Sequence, residues 1–167
     1  MLNPKYPAAV VAGNVETSQH LVNALLSSLD VMSSSQGTMN NLTFGNKKYQ
    51  YYETICSGSP AGPGFHGTNA IQVHMTNSRL TDPEILELKY PVMLKDFHIL
   101  VNSGGKGEFR GGNGTYREIL FKEDMELAIL SSHRKIKPHG LKGGESGRLG
   151  KNYIIRKNKK KEILEGC

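Results

Sequence analysis

Four glycine-dense stretches cut this chain into short pieces: SGSPAGPGFHG at 57–67, SGGKG at 103–107, RGGNG at 110–114 and GLKGGESG at 140–147. Glycine gives up more backbone freedom on folding than any other residue, so a chain punctuated in this way builds short elements between loops. Gly-Gly pairs also let a backbone approach an anion. No block has the order GxxxxGK[ST], however, and none clearly follows a strand and opens a helix as a GxGxxG loop does. Tight turns are the reading they favour.

Between these blocks the chain is mainly strand-like. The runs Thr38–Phe44 and Tyr49–Ile55 predict two strands joined by Gly45-Asn46-Lys47-Lys48, a connection with hairpin chemistry. Further strands are predicted over Ala70–His74, Val92–Val101, Thr115–Lys122 and Met125–Ser131, with a last hairpin from Asn152–Arg156 and Glu162–Leu164. Two segments read as helix. From Asn14 to Val31, the residues Val15, Leu21, Val22, Leu25, Leu26 and Leu29 recur at helical spacing behind the cap candidates Asn14 and Thr17, predicting one long N-terminal helix. Thr81–Leu88 has Pro83 near its start and an acidic first turn, predicting a short second helix closed before Tyr90-Pro91. The fold class is therefore α+β and mostly β, with two helices around antiparallel or mixed sheets and Gly-rich loops, in a single domain over 1–167.

A length of 167 residues allows one domain with one real core. No segment approaches the ~18 to 20 apolar residues that cross a bilayer, and MLNPKYPAAVVAGNVETSQH lacks a leader pattern, so no membrane partner is expected. Cys56 and Cys167 provide neither a disulfide framework nor a zinc knuckle, which fits a reducing, cytoplasmic setting. Much of the net charge of +6 lies in the last third, at Lys135, Lys137, Lys142, Lys151, Arg156, Lys157 and Lys159 to Lys161. Such runs are more often solvated faces than phosphate-binding ones, so nucleic acid is not the expected partner.

Three polar clusters stand at the ends of apolar runs: NVET at 14–17, MNNLT at 39–43 and HMTN at 74–77. Glu16 is either a general base or a first-turn carboxylate favoured by the helix dipole. Asn40 and Asn41 can hold a carbonyl or an oxyanion, or simply close a strand edge. On the run YYET, Tyr51 and Glu53 share one face and Tyr52 and Thr54 the other, and an inward Glu53 needs a partner. His74 and His66 are the histidines nearest a plausible pocket, able to act as base, donor or merely a hydrogen-bonded strand end. The absence of HExxH and CxxC predicts no metal site made wholly by this chain, and the absence of GxSxG gives no support for a serine hydrolase.

The segments PAAVVAGNVETSQ, QGTMNNLTFG, YYETI, VHMTNSRLTDPEILELKYPV, NSGGKGEFRGGNGTYREI and GLKGGESGRLGKNYIIRKN resemble, in order and over essentially the whole chain, the hydantoinase B/oxoprolinase family. The likeness is greatest to its eukaryotic-type, ATP-dependent branch. Hydantoinase and ketone carboxylase B-type subunits are the nearest relatives to separate from it. The resemblance implies hydrolytic opening of a cyclic amide, 5-oxo-L-proline to L-glutamate, coupled to ATP hydrolysis in glutathione turnover.

The resemblance also implies a division of labour. A hydantoinase A-type half with an actin-like fold binds ATP, and a B half completes ring opening. Only the C-terminal part of the B half is matched here. The family's His and Asp metal region upstream of GNVETSQ and its TPGGGGYG-like tail are not in this sequence. The expectation is a fragment that is inactive alone and binds no cofactor by itself, with ATP and a divalent metal belonging to the complete enzyme. Its partners would be the A-type half and the upstream B region, or a second copy of itself in a homo-oligomer. The implied pocket is lined by Asn14, Glu16, Asn40, Asn41, Glu53, His74 and Asn77. Glu16, Glu53 and His74 are its base candidates, and Asn14, Asn40, Asn41 and Asn77 would bind substrate. A non-catalytic scaffold is the competing reading.

Overall fold

The structure, a computed structural model, describes residues 5–7 and 16–164. In chain order these form α1 (Ser18–Ser28), β1 (Asn41–Gly45), β2 (Gln50–Thr54), α2 (Pro83–Lys89), β3 (Val92–Ile99), β4 (Thr115–Phe121), β5 (Glu126–Leu130), β6 (Asn152–Ile155) and β7 (Lys161–Leu164). Every pairing between these strands is antiparallel.

β1 sits between β2 and β5 in a three-stranded sheet, while β3–β4 and β6–β7 are separate two-stranded ribbons. The β1–β2 turn is tied by Asn46, whose Oδ1 accepts from the N–H groups of Lys48 (2.9 Å) and Tyr49 (3.0 Å). That is the local bonding that makes asparagine a turn residue. α2 begins as its sequence predicts. Asp82 accepts from the Glu84 N–H at 3.0 Å, Pro83 occupies the first turn, and Tyr90 is extended, stopping the helix before Pro91.

The core is Leu42, Phe44, Tyr51, Leu86 and Val92, with Tyr90, Phe121 and Leu127 packed against it. The register sets Phe44 opposite Tyr51, with ring centroids 4.8 Å apart, and Phe121 meets Phe44 edge-on at 5.1 Å. Leu86 pins α2 to this cluster with no exposed surface. Burying a side chain of this kind stabilises by about 1.5–3 kcal/mol.

The mostly-β character holds, but the long N-terminal helix does not form. α1 has 11 residues, and Asn14, the proposed cap, lies outside the described residues. The helix ends where Leu29 leaves helical geometry and Asp30 turns left-handed at φ 56, with the Val31 N–H closing onto the Leu26 carbonyl. Much of its apolar stripe faces outward: Leu21, Leu25 and Leu29 are 48, 56 and 62% exposed, while Val22 and Leu26 are half-buried. The inward side carries polar residues, Gln19 and Asn23 of α1 with Glu16 in the turn just before it, at the i, i+3, i+7 spacing that aligns one helical face.

The strand expected over Ala70–His74 is also absent. Ala70 (φ 51) and His74 (φ 55) are left-handed, a conformation no regular ladder contains. Only Ile71 makes a bridge, to Ser57, and the Gln72 side chain donates instead to the Thr54 carbonyl at 3.0 Å.

The glycine blocks serve close backbone approach more than tight turns. Gly112 donates to the Ser59 carbonyl and Gly67 to the Arg110 carbonyl, lacing the first loop to the third. A Cβ at Gly112 would lie 2.0 Å from the Thr68 carbonyl oxygen.

Candidate functional site

The polar face of α1 gathers the site. Glu16 Oε1 accepts from the Met39 N–H and from Asn41 Nδ2, both at 3.3 Å. Asn41 Oδ1 in turn accepts from the Tyr52 hydroxyl at 3.0 Å. One turn along α1, the fully buried Gln19 accepts from the Met75 N–H at 2.9 Å. A further turn on, Asn23 Oδ1 accepts from the Ser35 N–H at 2.8 Å and faces His74 Nε2 at 3.4 Å.

One helix face therefore holds together the 35–41 segment and the 74–76 turn. Burial pushes the half-buried His74 imidazole below its ordinary pKa, so it is neutral near pH 7 and able to take a proton. On the segments this face holds are buried polar atoms without a hydrogen-bond partner: Gln19 Nε2, Ser35 Oγ, Gln36 Oε1, Asn40 Oδ1 and Thr76 Oγ1. Each such atom costs about 1–3 kcal/mol if nothing satisfies it, and ordered water or a ligand is the usual remedy. Ser35, Gln36 and Asn40 also line a groove of about 1150 Å³ that continues along Ser132 to Arg134 and the third and fourth glycine blocks.

Of the residues expected in the pocket, Glu16 and Asn41 touch directly, and His74 joins them through Asn23 and the shared helix face. Asn40 sits beside them in a left-handed conformation (φ 51), its Nδ2 donating to the Ile55 carbonyl at 3.4 Å. Asn77 is exposed just beyond the 74–76 turn. Glu53 is inward and partnered: Arg117 donates to both its oxygens at 2.7 and 3.0 Å, and the Tyr51 hydroxyl adds a bond at 2.8 Å. His66 belongs to the glycine loops, its Nδ1 accepting from the Arg110 N–H at 2.9 Å.

Gln19, Asn23, Ser35 and Thr76 were not among the expected residues. The i, i+3, i+7 spacing of Glu16, Gln19 and Asn23 was the available signal, hidden because the leucine stripe of the same segment claimed the inward face. Among the described residues no three of His, Cys, Asp and Glu assemble as a metal-binding group. No helix among the described residues is long and apolar enough to cross a membrane.

Comparison with known proteins gives a consistent picture. The family model for hydantoinase B/oxoprolinase matches residues 1–166. The chain is 49% identical to a 5-oxoprolinase of Dictyostelium discoideum over 96% of its own length, and 49% identical to 5-oxoprolinase 1 of Arabidopsis thaliana over 99%. It is 28% identical to a putative D-/L-hydantoinase B-type chain of a Pseudomonas species over 99% of its length. It spans only 13% of each of the two 5-oxoprolinases and 29% of the hydantoinase chain.

Proposed function

Because the chain belongs to the hydantoinase B/oxoprolinase family, we propose that it is the substrate-binding portion of an ATP-dependent 5-oxoprolinase, which hydrolyses the cyclic amide of 5-oxo-L-proline to give L-glutamate. The observation that carries this reading is the polar face of α1, which brings Glu16, Asn41, Asn23 and His74 to one place. The eukaryotic relatives named 5-oxoprolinase, 49% identical, support the substrate.

Water must attack the lactam carbon, so the site needs a base and donors for the oxyanion that forms. His74, kept neutral by burial, or Glu16 serves as the base. Glu53 does not, since Arg117 and Tyr51 already occupy both its oxygens. Asn40 and Asn41 hold the carbonyl, and Gln19 Nε2, on the same helix face as Asn23, is a buried donor without a partner. Losing one oxyanion donor typically costs about 10²- to 10³-fold in rate.

In this reading the chain is one domain of a larger cytoplasmic enzyme and does not turn over alone. ATP and a divalent metal are bound by a hydantoinase A-type half and by upstream B residues. The outward leucine face of α1 is suited to meeting that remainder. The test is His74→Ala and Asn41→Ala in the assembled enzyme. Turnover should fall by about 10²-fold or more with assembly unchanged. Lost assembly with little direct effect on rate would instead favour a scaffold, and steady ATP-dependent glutamate production by the isolated chain would sink the idea that it is incomplete.

A further inference from the structure

Arg134 is a half-buried cation without a counter-charge. Its Nη1 donates to the Ser132 carbonyl at 2.6 Å and its Nη2 to Asn152 Oδ1 at 3.0 Å, both neutral acceptors. Its Nε is buried with no partner, and among the described residues no carboxylate lies within ion-pair distance. The contrast with Arg117, whose guanidinium has two bonds to Glu53, is direct.

The position is built rather than incidental. Asn152 is itself oriented by donating to Ser131 Oγ at 2.8 Å. The guanidinium packs against Gly150, so close that a Cβ there would fall 1.9 Å from Nη1. Burial pushes the Arg134 pKa down, the sign of a charge removed from water without compensation. A partly desolvated cation without a counter-charge is costly, so an anion that reaches it is favoured.

The rest of the groove says what kind of anion. Among the described residues eight buried side-chain polar atoms lack a partner, and four of them belong to residues of this one groove: Ser35 Oγ, Gln36 Oε1, Asn40 Oδ1 and Arg134 Nε. Two are amide oxygens, acceptors that call for an N–H. One is a hydroxyl that can give or accept, and one is a charged donor. The segments also meet, since a Cβ at Gly37 would lie 2.7 Å from Ser132 Cβ and the Ser34 N–H bonds to the His139 carbonyl.

We propose that Arg134 is the carboxylate-binding residue of the groove, taking the carboxylate of a small ligand whose lactam N–H and carbonyl reach the Gln36, Asn40 and Ser35 side chains. The cyclic amide acid of the proposed reaction has this set of groups, and the assignment of that ligand rests on the functional reading above. Arg134 is here a binding residue: it lines the groove, which neither Glu16 nor His74 does, and holds the end of the molecule that does not react.

The test uses the 167-residue chain labelled with nitrogen-15. The Ser35 and Gln36 backbone amide resonances, which every variant retains, are followed together with the Arg134 Nε–H resonance where that residue is present, during titration with 5-oxo-L-proline, with 2-pyrrolidinone, which lacks the carboxylate, and with glutarate, which lacks the ring. A saturable shift with 5-oxo-L-proline, weakened about 10- to 100-fold by Arg134→Gln, is expected, since charged hydrogen bonds are lost. Asn152→Asp provides a second variant that does not empty the site. It places a carboxylate against Nη2, so the fold should be kept or strengthened while carboxylate binding is lost. Binding of 5-oxo-L-proline that is equal in wild type, Arg134→Gln and Asn152→Asp would overturn the inference and leave the substrate reading standing. Arg134-dependent binding of glutarate without any of 5-oxo-L-proline would uphold the anion site and refute the substrate reading. No Arg134 shift with either acid overturns the inference.

Discussion

Arg117 on β4 clasps Glu53 on β2 through two parallel hydrogen bonds, of 2.7 and 3.0 Å, with side chains only 3 and 2% exposed. The pair joins two sheets that share no strand. Removing one member strands a buried charge, which typically costs about 3–5 kcal/mol, whereas replacing both by apolar residues of similar volume is far milder. Arg117→Met is therefore expected to destabilise by about 3–5 kcal/mol, and the double change Glu53→Met, Arg117→Met to recover much of that. Urea denaturation of the two variants measures both. A base at Glu53 would instead show itself as lost turnover at unchanged stability.

Tyr51 donates to the same carboxylate, and burial chiefly, together with Glu53, pushes its pKa up to about 12. The folded state then holds the phenol proton through a range where the unfolded chain, at about 10, has lost it. Stability from this group is full below about pH 10 and lost as the pH rises toward 12. In an ultraviolet titration of the folded chain Tyr51 should ionise late, as should Tyr52 and Tyr116, whose pKa values are also raised, and Tyr51→Phe should remove one late step and lessen the alkaline loss of stability.

For His74 the sign is opposite. Burial lowers its folded pKa, so the unfolded chain, protonating near 6.5, binds the proton first as the pH falls. Stability associated with neutral His74 is present above about pH 6.5 and declines as the pH drops toward the folded value. The His74 ring resonances should titrate below that reference, and His74→Asn should lessen the acid-side loss. A midpoint at or above the reference would mean that the imidazole is solvated and unsuited to stay neutral in the site.

How legible was this in the sequence? The β1–β2 hairpin and α2 were readable because their signals are local: Asn46 bonds its own turn, and Asp82 and Pro83 open their own helix. The partner of Glu53 was not, since Arg117 lies 64 residues away and β4 pairs with β3 rather than with β2. α1 misled for a different reason. Periodicity reports two faces but not which is inward, and here the polar one wins because Met39, Asn41, Ser35 and Met75 supply its partners. At 70–74 the left-handed Ala70 and His74 interrupt the apolar run, and Gln72 meets the end of β2 through its side chain rather than its backbone, so no strand forms.

The outward leucines of α1 make a further distinction. Leu25→Glu replaces a residue 56% exposed and away from the core, so the fold should change by less than about 0.5 kcal/mol. If Leu21, Leu25 and Leu29 form a contact face, the same change should weaken self-association of the isolated chain and its capture by the rest of the enzyme. Sedimentation velocity over a concentration series reads the first. Unchanged association with Leu25→Glu would move the contact to another surface.

The two kinds of glycine in this chain should respond differently to alanine. Gly64 has φ +88 with nothing within 4 Å of a Cβ, so Gly64→Ala carries only the cost of a left-handed backbone, about 1 kcal/mol. Gly112 has no such conformation, but its Cβ would meet the Thr68 carbonyl oxygen at 2.0 Å and the Ser59 nitrogen at 3.0 Å. Both obstacles are backbone, which has no rotamer to yield, and the Gly112–Ser59 bond at 2.9 Å would have to break as the loops part. Gly112→Ala should therefore cost clearly more, on the order of 3 kcal/mol. It should also speed hydrogen exchange at residue 112 and at Gly67, whose N–H groups cross between the loops. Were the two substitutions equal in thermal denaturation, turn conformation rather than close backbone packing would be the reason for the glycine blocks.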